Sequence, residues 1–286
     1  MRTKSILAVV FYLMVLEGSA QNTPKATPWF TVTVISPKVW AIDDHQAANC
    51  YLVEGKDSAL LIDTGIGAAD LLAQVGQLTH KPLIVVNTHG HPDHSGANYQ
   101  FAKIYLAPGD SAAARNYMLP ASRAGAAKMA RGATPQPGET YKGKEIASKL
   151  VVVKDGTTFK LGGRTIEVIE TPGHTPGSIC LLDKANKLLF TGDNDNTLVW
   201  LFLPNCLPLS AYLKSLQKLE KRVSEFDTLL PGHGVPMKSD FISDQIMCVK
   251  SILDHTCKPE PYESFAGKAM LCKYNRSSVA FNPENL

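Results

Sequence analysis

The segment Thr88–Gly96, THGHPDHSG, carries side chains that can bind metal ions, because it places three histidines and one aspartate within six positions. The whole chain has eight histidines, so this short loop concentrates them. His89 and His91, two residues apart in a turn, can direct their imidazoles at one ion, and Asp93 and His94 continue toward a second position. Imidazole and carboxylate groups suit zinc and similar divalent cations. The spacing therefore predicts a metal site in this loop.

Further histidines and aspartates occur in glycine-rich turns, each directly after apolar residues. These motifs are LIDTG with Asp63, TPGHTPGS with His174, FTGDND with Asp193 and LLPGHG with His233. Glycine beside a ligand lets the backbone approach closely and adopt turn dihedrals that a larger residue disfavours. One histidine in such a turn is usually incidental, but a whole set at predicted strand ends predicts one shared centre. His45, His80 and His255 lack this setting and are expected to be ordinary surface or core residues.

In this order, the motifs HGHPDH, GH, TGD and PGHG resemble the metallo-β-lactamase superfamily over nearly the whole predicted mature chain. The resemblance implies an α/β fold, a four-layer α/β/β/α sandwich, with two metal ions in a cleft where the two sheets meet. It also implies a ligand set: His89, His91 and His174 for the first ion, Asp93, His94 and His233 for the second, and Asp193 as a bridge. In this family the Asp of the DTG turn lies behind a ligand histidine, which makes Asp63 a candidate for orienting that histidine. The alternative for Asp63 is a turn residue at the entry of a helix.

The resemblance further implies the cofactors and the reaction. Two divalent ions about 3.5–4 Å apart would activate a shared water and polarise the attacked group. Zinc is the default ion, and iron or manganese fit the same ligands. Asp93 is the candidate catalytic residue, since it can orient that nucleophile.

We therefore expect a hydrolase that cleaves an ester, lactone, thioester or β-lactam amide of a small-molecule substrate. The alternatives are a phosphodiesterase of the same fold, a one-metal oxidoreductase resembling persulfide dioxygenases, and a binding protein that has lost turnover. The last alternative predicts a missing ligand, and every ligand position of the two-metal pattern is filled.

The segment after Asp193 bears on the substrate. Residues 194–204, NDNTLVWLFLP, form an apolar and aromatic loop near the predicted metals, with Trp200 and Phe202 as candidate pocket walls. An apolar wall favours an acyl or ring group. Core packing is the alternative, because Trp and Phe are usually buried.

The segment 109–148 differs from its surroundings in being rich in Ala and Gly. It predicts one or two helices and a long connection, and is either a surface insertion or a lid over the pocket. Its Tyr117 and Arg115 are candidate substrate contacts, as is Tyr212 further along the chain.

The elements that must position these turns alternate between strands and helices. Strands are predicted in 31–44, 48–55, 58–63, 82–87, 103–106, 150–153, 158–161, 165–170, 179–183, 187–191 and, as the last strand, 228–230. Helices are predicted in 68–78, 96–101, 209–226 and, as the last helix, 240–257. The order of strands, helix, strand and helix occurs twice, which favours two sheets covered by helices on their outer sides. One domain over 21–286 is expected.

The N-terminus predicts a cleaved signal peptide over residues 1–20. Arg2 and Lys4 precede the apolar run Ile6–Leu16, and small residues follow at Gly18–Ala20. Eleven apolar residues are too few to span a bilayer, which needs roughly 20. We expect an exported protein, periplasmic or secreted, that begins at Gln21 and has no stable membrane anchor.

Charge and cysteine content limit the remaining function classes. The net charge of +3, without a basic run, argues against nucleic acid as the main partner. Cys50 and Cys180 lie in strand-like apolar runs and are expected to be buried thiols. Cys248, Cys257 and Cys272 cluster near the C-terminus, where a local disulfide is expected with its pairing left open.

Overall fold

The computed structural model describes residues 29–130 and 133–286. The predicted signal peptide, residues 1–20, and the first residues of the predicted mature chain lie outside the described residues.

The first half of the chain forms a sheet that is antiparallel on one side and parallel on the other. Its strands are β1 (Phe30–Ser36), β2 (Val39–Asp44), β3 (Asn49–Glu54), β4 (Ala59–Ile62), β5 (Leu83–Val86), β6 (Lys103–Leu106) and β7 (Lys149–Val152). They lie in chain order, antiparallel from β1 to β4 and parallel from β4 to β7. The helix α1 (Leu71–Leu78) makes the crossover from β4 to β5 that a parallel pair requires. It begins later than predicted because Asp70 caps it, accepting a hydrogen bond from Ala73 N.

The second half forms a second mixed sheet. Its strands are β8 (Thr158–Lys160), β9 (Thr165–Glu170), β10 (Ile179–Asp183), β11 (Leu188–Gly192), and, after the separate strand β12 (Leu198–Leu201), β13 (Thr228–Pro231) and β14 (Met237–Lys238). Their order is β14-β13-β11-β10-β9-β8, and β11 pairs with β13 in parallel. As in the first sheet, the strands that pair in parallel end at the same edge.

Short helices lie within the histidine-rich loop and within the insertion, and longer ones cover the second sheet. They are α2 (Pro92–Ser95), α3 (Ser111–Tyr117), α4 (Pro120–Ala126), α5 (Leu209–Glu220) and α6 (Phe241–Leu253). The helix predicted over 96–101 is instead α2 and a single 3-10 turn, Asn98–Gln100. The prediction of a helix over 209–226 was too long, since α5 ends at Glu220 and Val223 is exposed.

The predicted end of the fold was wrong. The last helix ends at Leu253 rather than 257, and strands β15 (Glu260–Ser264), β16 (Gly267–Tyr274) and β17 (Ser277–Phe281) follow it. They form an antiparallel hairpin and meander that pairs with β12, in the order β12-β17-β16-β15. The residues 194–204, expected to be a loop, therefore contribute a strand to this C-terminal sheet.

Three apolar clusters define the layers. One lies between the two large sheets and includes Val53, Ile62 and Leu181. A second joins the outer face of the first sheet to α1, and a third joins the outer face of the second sheet to α5, α6 and the C-terminal sheet. The fold is thus the predicted α/β class, with the α/β/β/α order of layers. In the described part of the chain, no helix is both long and apolar enough to cross a membrane.

The C-terminal cysteines resolve the open pairing. Cys257 and Cys272 form a disulfide, with 6.3 Å between their Cα atoms. It ties the segment after α6 to the middle of β16. Cys248 is a buried thiol beneath it, and Cys50 and Cys180 are buried thiols as predicted.

Candidate metal centre

The predicted ligand residues converge at one edge of the two large sheets. His89, His91, Asp93 and His94 follow β5, His174 follows β9, Asp193 follows β11, and His233 follows β13. Within the described residues they form two groups of potential metal ligands: His89, His91 and His174 in one, and Asp93, His94, Asp193 and His233 in the other. Within each group the donor atoms lie within 4.8 Å of one another. The first group holds the three residues implied for the first ion, and the second group holds the three implied for the second ion together with Asp193.

Asp193 lies between the two groups. Its Oδ2 is 3.5 Å from His174 Nε2 and 4.0 Å from His89 Nε2, on the side of the first group. The same oxygen is 3.2 Å from His233 Nε2, and Oδ1 is 3.3 Å from His94 Nε2, on the side of the second group. A carboxylate in this position can contact a cation in either group.

Asp63 fixes the orientation of two of the histidines. Its Oδ2 accepts hydrogen bonds from His94 Nδ1 (2.8 Å) and from Thr88 Oγ1 (2.7 Å), and Thr88 Oγ1 in turn lies 3.1 Å from His89 Nδ1. Since the Thr88 hydroxyl donates to Asp63, its lone pair accepts from His89 Nδ1–H. The protons of both imidazoles are therefore on Nδ1, and both Nε2 lone pairs face the cluster.

His174 is oriented by a main-chain carbonyl instead. Its Nδ1 donates to Trp200 O at 2.8 Å, which leaves the Nε2 lone pair facing His91 Nδ1 at 2.9 Å. Trp200 belongs to β12, so the C-terminal sheet contributes to the ligand geometry of the second half.

The chemistry of the converging atoms fits a cation. In the described residues, His89 Nε2, His94 Nε2 and Asp193 Oδ1 are buried without a hydrogen-bond partner. Buried polar atoms are nearly always paired, and unpaired ones are costly. Lone pairs and carboxylate oxygens that point at one another require a positive charge between them, so the cluster fits a metal site.

Burial and charge set different protonation tendencies in the two groups. Burial, with the neighbouring imidazoles, lowers the pKa of His91 to about 3, so this ring is neutral at physiological pH, the form that binds cations. Burial also works against charge at His233, but Asp193 and Asp93 outweigh it and raise the pKa of His233 to about 10. A cation near His233 therefore competes with a proton.

Asp110 was missed in the sequence, although it touches both ligand-bearing loops. It is buried, and its Oδ2 accepts from Gly90 N at 2.8 Å and from Thr175 Oγ1 at 2.6 Å. Its Oδ1 accepts from Gly177 N at 3.0 Å. Gly90 lies between His89 and His91, and Thr175 follows His174, so one carboxylate holds the two loops together. The available signal was an acid shortly after β6, at the same sheet edge as the ligands.

Gly232 is required for the approach of Asp193 to the second group. A Cβ at this position would collide with Asp193 Oδ1 and lie 2.7 Å from His94 Cε1. The glycine of the LLPGHG motif therefore makes room for the carboxylate between the histidines.

The insertion has two parts with different surroundings. Residues near its start line a cavity of about 200 Å³ beside His91, together with Thr175, Pro176 and Asn205. Further along, Arg123 stacks on Tyr99 at 3.8 Å, and Ile146 N donates to Tyr99 O, on the outer side of the first sheet. The start of the segment borders the site, and the rest packs as a surface insertion.

The candidate substrate contacts differ in their burial and in their surroundings. Trp200 and Phe202 are half-buried and contact each other, with ring centroids 5.4 Å apart and ring planes tilted by 53°. Tyr117 is half-buried at the end of α3 and, among the described residues, makes no hydrogen bond or ring contact with the cluster. Arg115 is exposed on the same helix. The suggestion for Tyr212 was wrong, because its ring is fully buried beside α6 and its hydroxyl donates to Asn194 O.

The chain is similar to several known proteins. The family model of the metallo-beta-lactamase superfamily matches residues 44–233. Acyl-coenzyme A thioesterase MBLAC2 of Homo sapiens is 32% identical over 209 residues, which cover 65% of this chain and 72% of that protein. Atrochrysone carboxyl ACP thioesterase of Aspergillus fumigatus is 27% identical over 220 residues, 73% of this chain and 59% of that protein.

Among solved structures, a metallo-beta-lactamase from Pontibacter korlensis covers 77% of this chain and 99% of its own, with a TM-score of 0.53 and 21% identity. A likeness at this level of identity shows a shared fold. It leaves the substrate to be argued from the site.

Proposed function

This chain belongs to the metallo-beta-lactamase superfamily, and on that premise we propose that it hydrolyses acyl thioesters with two divalent metal ions, zinc by default. Its relatives and its fold make it a hydrolase. The number of ions, their identity and the thioester are the parts that we propose.

The position of Asp193 carries the proposal of two ions. Its carboxylate lies between the two groups, with Oδ2 3.5 Å from His174 Nε2 and 3.2 Å from His233 Nε2, and each group by itself offers three or more donors. Three protein ligands with an open position are typical of catalytic metal sites, and closed sites use four. We assign His89, His91 and His174 to the first ion, Asp93, His94 and His233 to the second, and Asp193 to both.

When bound there, two such cations supply an activated water and positive charge for the developing oxyanion. The residues of the chain determine where that chemistry occurs. Asp93 Oδ2 lies 3.3 Å from His233 Nε2 and 3.7 Å from His94 Nε2, so this carboxylate is at the second group and can accept a proton from the attacking water. Asp63, Thr88 and Trp200 O keep the imidazoles in place throughout.

In the proposed reaction, the water oxygen bonds to the acyl carbon and the C–S bond breaks. The products are a carboxylic acid and a thiol, and the proton released from water balances the departing thiolate. Two relatives whose names state thioester hydrolysis, on a coenzyme A and on an acyl carrier protein, support this choice over lactones, simple esters and β-lactams.

The test is a hydrolysis panel run with the purified protein and its metal content measured in parallel. The panel holds dodecanoyl-coenzyme A, an acyl lactone, a chromogenic cephalosporin and a phosphodiester. We expect thioester turnover that is lost with a chelator and restored by zinc, with nearly two metals per chain.

Other results would replace the proposal. Turnover of the phosphodiester alone would make the protein a phosphodiesterase of this fold. One iron per chain, with oxygen consumption on a glutathione persulfide, would make it an oxidoreductase resembling persulfide dioxygenases.

We also propose that the protein is exported after cleavage following Ala20. The Cys257–Cys272 disulfide supports this, because disulfides persist mainly in oxidising compartments. N-terminal sequencing of the protein from an extracellular or periplasmic fraction should begin at Gln21. Recovery of the uncleaved chain in the cytosol alone would contradict export.

A further inference from the structure

We propose that the outer face of the C-terminal sheet binds the acyl chain of the substrate, and that Phe265 makes the enzyme prefer long chains. The proposal rests on the thioester hydrolysis proposed above. It assigns a role to the aromatic residues Trp200, Phe202, Tyr262 and Phe265, called here the aromatic face.

Alternation along the strands separates this face from the core. In β12, Val199 and Leu201 are buried in the core shared with α5 and α6, so Trp200 between them points to the opposite side. Register places Trp200 opposite Ala280 of β17 and Tyr262 opposite Ala269 of β16. Ala280 is fully buried, whereas Ala269 is half-exposed, so the space that a flexible apolar chain can occupy lies beside the Tyr262 ring.

The aromatic rings contact one another but remain partly open to solvent. Trp200 Nε1 donates to Tyr262 OH at 3.0 Å, and the Phe202 ring lies 6.1 Å from the Tyr262 ring. At the tip of the β15–β16 hairpin, the Phe265 ring lies 5.5 Å from the Trp200 ring, and Phe265 is 78% exposed. A contiguous exposed aromatic surface of this kind is typical of a binding site.

The aromatic face is linked to the candidate metal centre through Trp200. The carbonyl of Trp200 accepts the hydrogen bond that orients His174, so the same residue contacts a metal ligand through its backbone and forms the aromatic face through its side chain. Phe202 lies two residues further on, about 7 Å along an extended chain. An acyl group whose carbonyl lies at the cluster therefore has an apolar surface along which several methylene groups can extend.

The charges and the edge strand of the C-terminal sheet favour the acyl chain of a substrate as the ligand of the aromatic face, over a membrane surface or a second copy of this chain. At the tip, Glu263 pairs in register with Lys268, so acid and base balance, whereas membrane-binding surfaces carry an excess of basic residues. The edge strand β15 contains Pro261 and exposed Glu260 and Glu263, which oppose pairing with another strand.

The test compares the purified metal-loaded enzyme with Phe265→Ala, using acetyl-, octanoyl- and dodecanoyl-coenzyme A. The control is Leu72→Ala, which removes an exposed apolar side chain from α1 on the far helical layer. We expect Phe265→Ala to lower the ratio of dodecanoyl to acetyl kcat/KM by about 10-fold, the lower end of the effect of a small change in apolar contact. Leu72→Ala should leave the ratio unchanged.

A binding experiment separates this proposal from the proposed reaction. S-dodecyl-coenzyme A, a thioether that cannot be hydrolysed, should bind the wild type more tightly than S-ethyl-coenzyme A, and Phe265→Ala should remove most of that difference. Absence of thioester turnover at every chain length would overturn the proposed function itself.

Thioester turnover with a chain-length profile that Phe265→Ala does not change would overturn only the acyl-chain site. Two further results would have the same effect, if the profile stayed unchanged. One is a Phe265-dependent association with neutral phospholipid vesicles, and the other is a Phe265-dependent dimer in light scattering.

Discussion

The two halves of the fold supply residues to the candidate metal centre in different ways. The first half places His89, His91, Asp93 and His94 in one loop. There Asp63 and Thr88 form hydrogen bonds with imidazole nitrogens, and Asn87 donates to the main-chain carbonyl of His94. The second half places His174, Asp193 and His233 on separate strand ends. The side chain of His94 is fully buried, whereas that of His233 is 38% exposed.

This difference indicates that the two halves have different structural roles at the cluster. The first half forms a compact, pre-oriented cradle for cations, and the second half closes the cluster through contacts with distant elements. Trp200 O holds His174, and Asn49 of the first half donates to the carbonyls on either side of Gly232 and His233, at Pro231 and Gly234.

The largest effect is expected from a ligand of the first half. His91→Ala should reduce turnover by on the order of 10³-fold or more, because several kcal/mol of metal-dependent stabilisation of the transition state are lost. Metal content should fall while the far-UV circular dichroism stays unchanged. His80→Ala, at an exposed histidine outside the cluster, is the matched control. Full activity in His91→Ala would contradict the assignment of the centre.

The second prediction concerns the carboxylate below the cradle. Asp63 has a left-handed φ of 62°, which Asp and Asn tolerate better than most residues, so Asp63→Asn keeps the backbone conformation. An amide oxygen accepts the hydrogen bonds from Thr88 and His94 more weakly than a carboxylate oxygen does. Metal affinity should therefore fall about 10- to 100-fold. Competition with a chromophoric chelator measures this. An unchanged affinity would mean that the first half is not pre-oriented by Asp63.

The third prediction tests the carboxylate that joins the halves. Asp110→Ala leaves Gly90 N, Gly177 N and the Thr175 hydroxyl without their acceptor, at about 1–3 kcal/mol for each buried group that stays unpaired. Asp110→Asn retains part of the acceptor capacity and should cost less. Because His89, His91 and His174 would shift, the visible spectrum of the cobalt-substituted protein should change as well.

The matched control for Asp110 is Asp183→Asn. Asp183 is also a buried carboxylate, and it pairs with Arg164 on the second sheet, away from the cluster. Its substitution should lower the free energy of unfolding but leave the cobalt spectrum unchanged. Cobalt spectra unchanged from the wild type in both the Asp110 and the Asp183 variants would show that Asp110 only stabilises the fold.

The comparison of halves also explains what the sequence could predict. The loop at His89–His94 was predictable because its ligands are local, and the ligands of the second half because each follows an apolar strand in a glycine-rich turn. Asp110 was missed because its hydrogen bonds reach back 20 residues to Gly90 and forward 65 to Thr175. No spacing rule reveals such contacts.

The C-terminal sheet was missed for a related reason. Strand β12 has four residues and pairs with β17, whose Ser278 lies opposite Leu198, so the partner that it has among the described residues is distant in sequence. The alternation in β15 and β16 was present in the sequence, with turns at Phe265–Ala266 and Asn275–Arg276. Recognising it would have moved Trp200 from a loop to a strand and revealed the aromatic face.

The smallest effect concerns a buried carboxylate of the first half that lies outside the cluster. Burial raises the pKa of Asp44 from 3.8 to about 6, although Trp29 Nε1 and Ile66 N donate to it. A carboxyl whose pKa is higher in the folded state binds a proton there first, so it adds stability as the pH falls below about 6, and this is lost as the pH rises through 6. At pH 5 the gain is roughly 1.4 kcal/mol relative to pH 7.5. Asp44→Asn cannot titrate, and urea unfolding of both proteins at the two pH values isolates the difference, because the metal cluster contributes equally to each. If the difference in unfolding free energy between the wild type and Asp44→Asn did not increase in favour of the wild type at pH 5, the Asp44 carboxylate would remain charged. Its two donors would then stabilise the charge, as the donors to Asp63 do within the cradle.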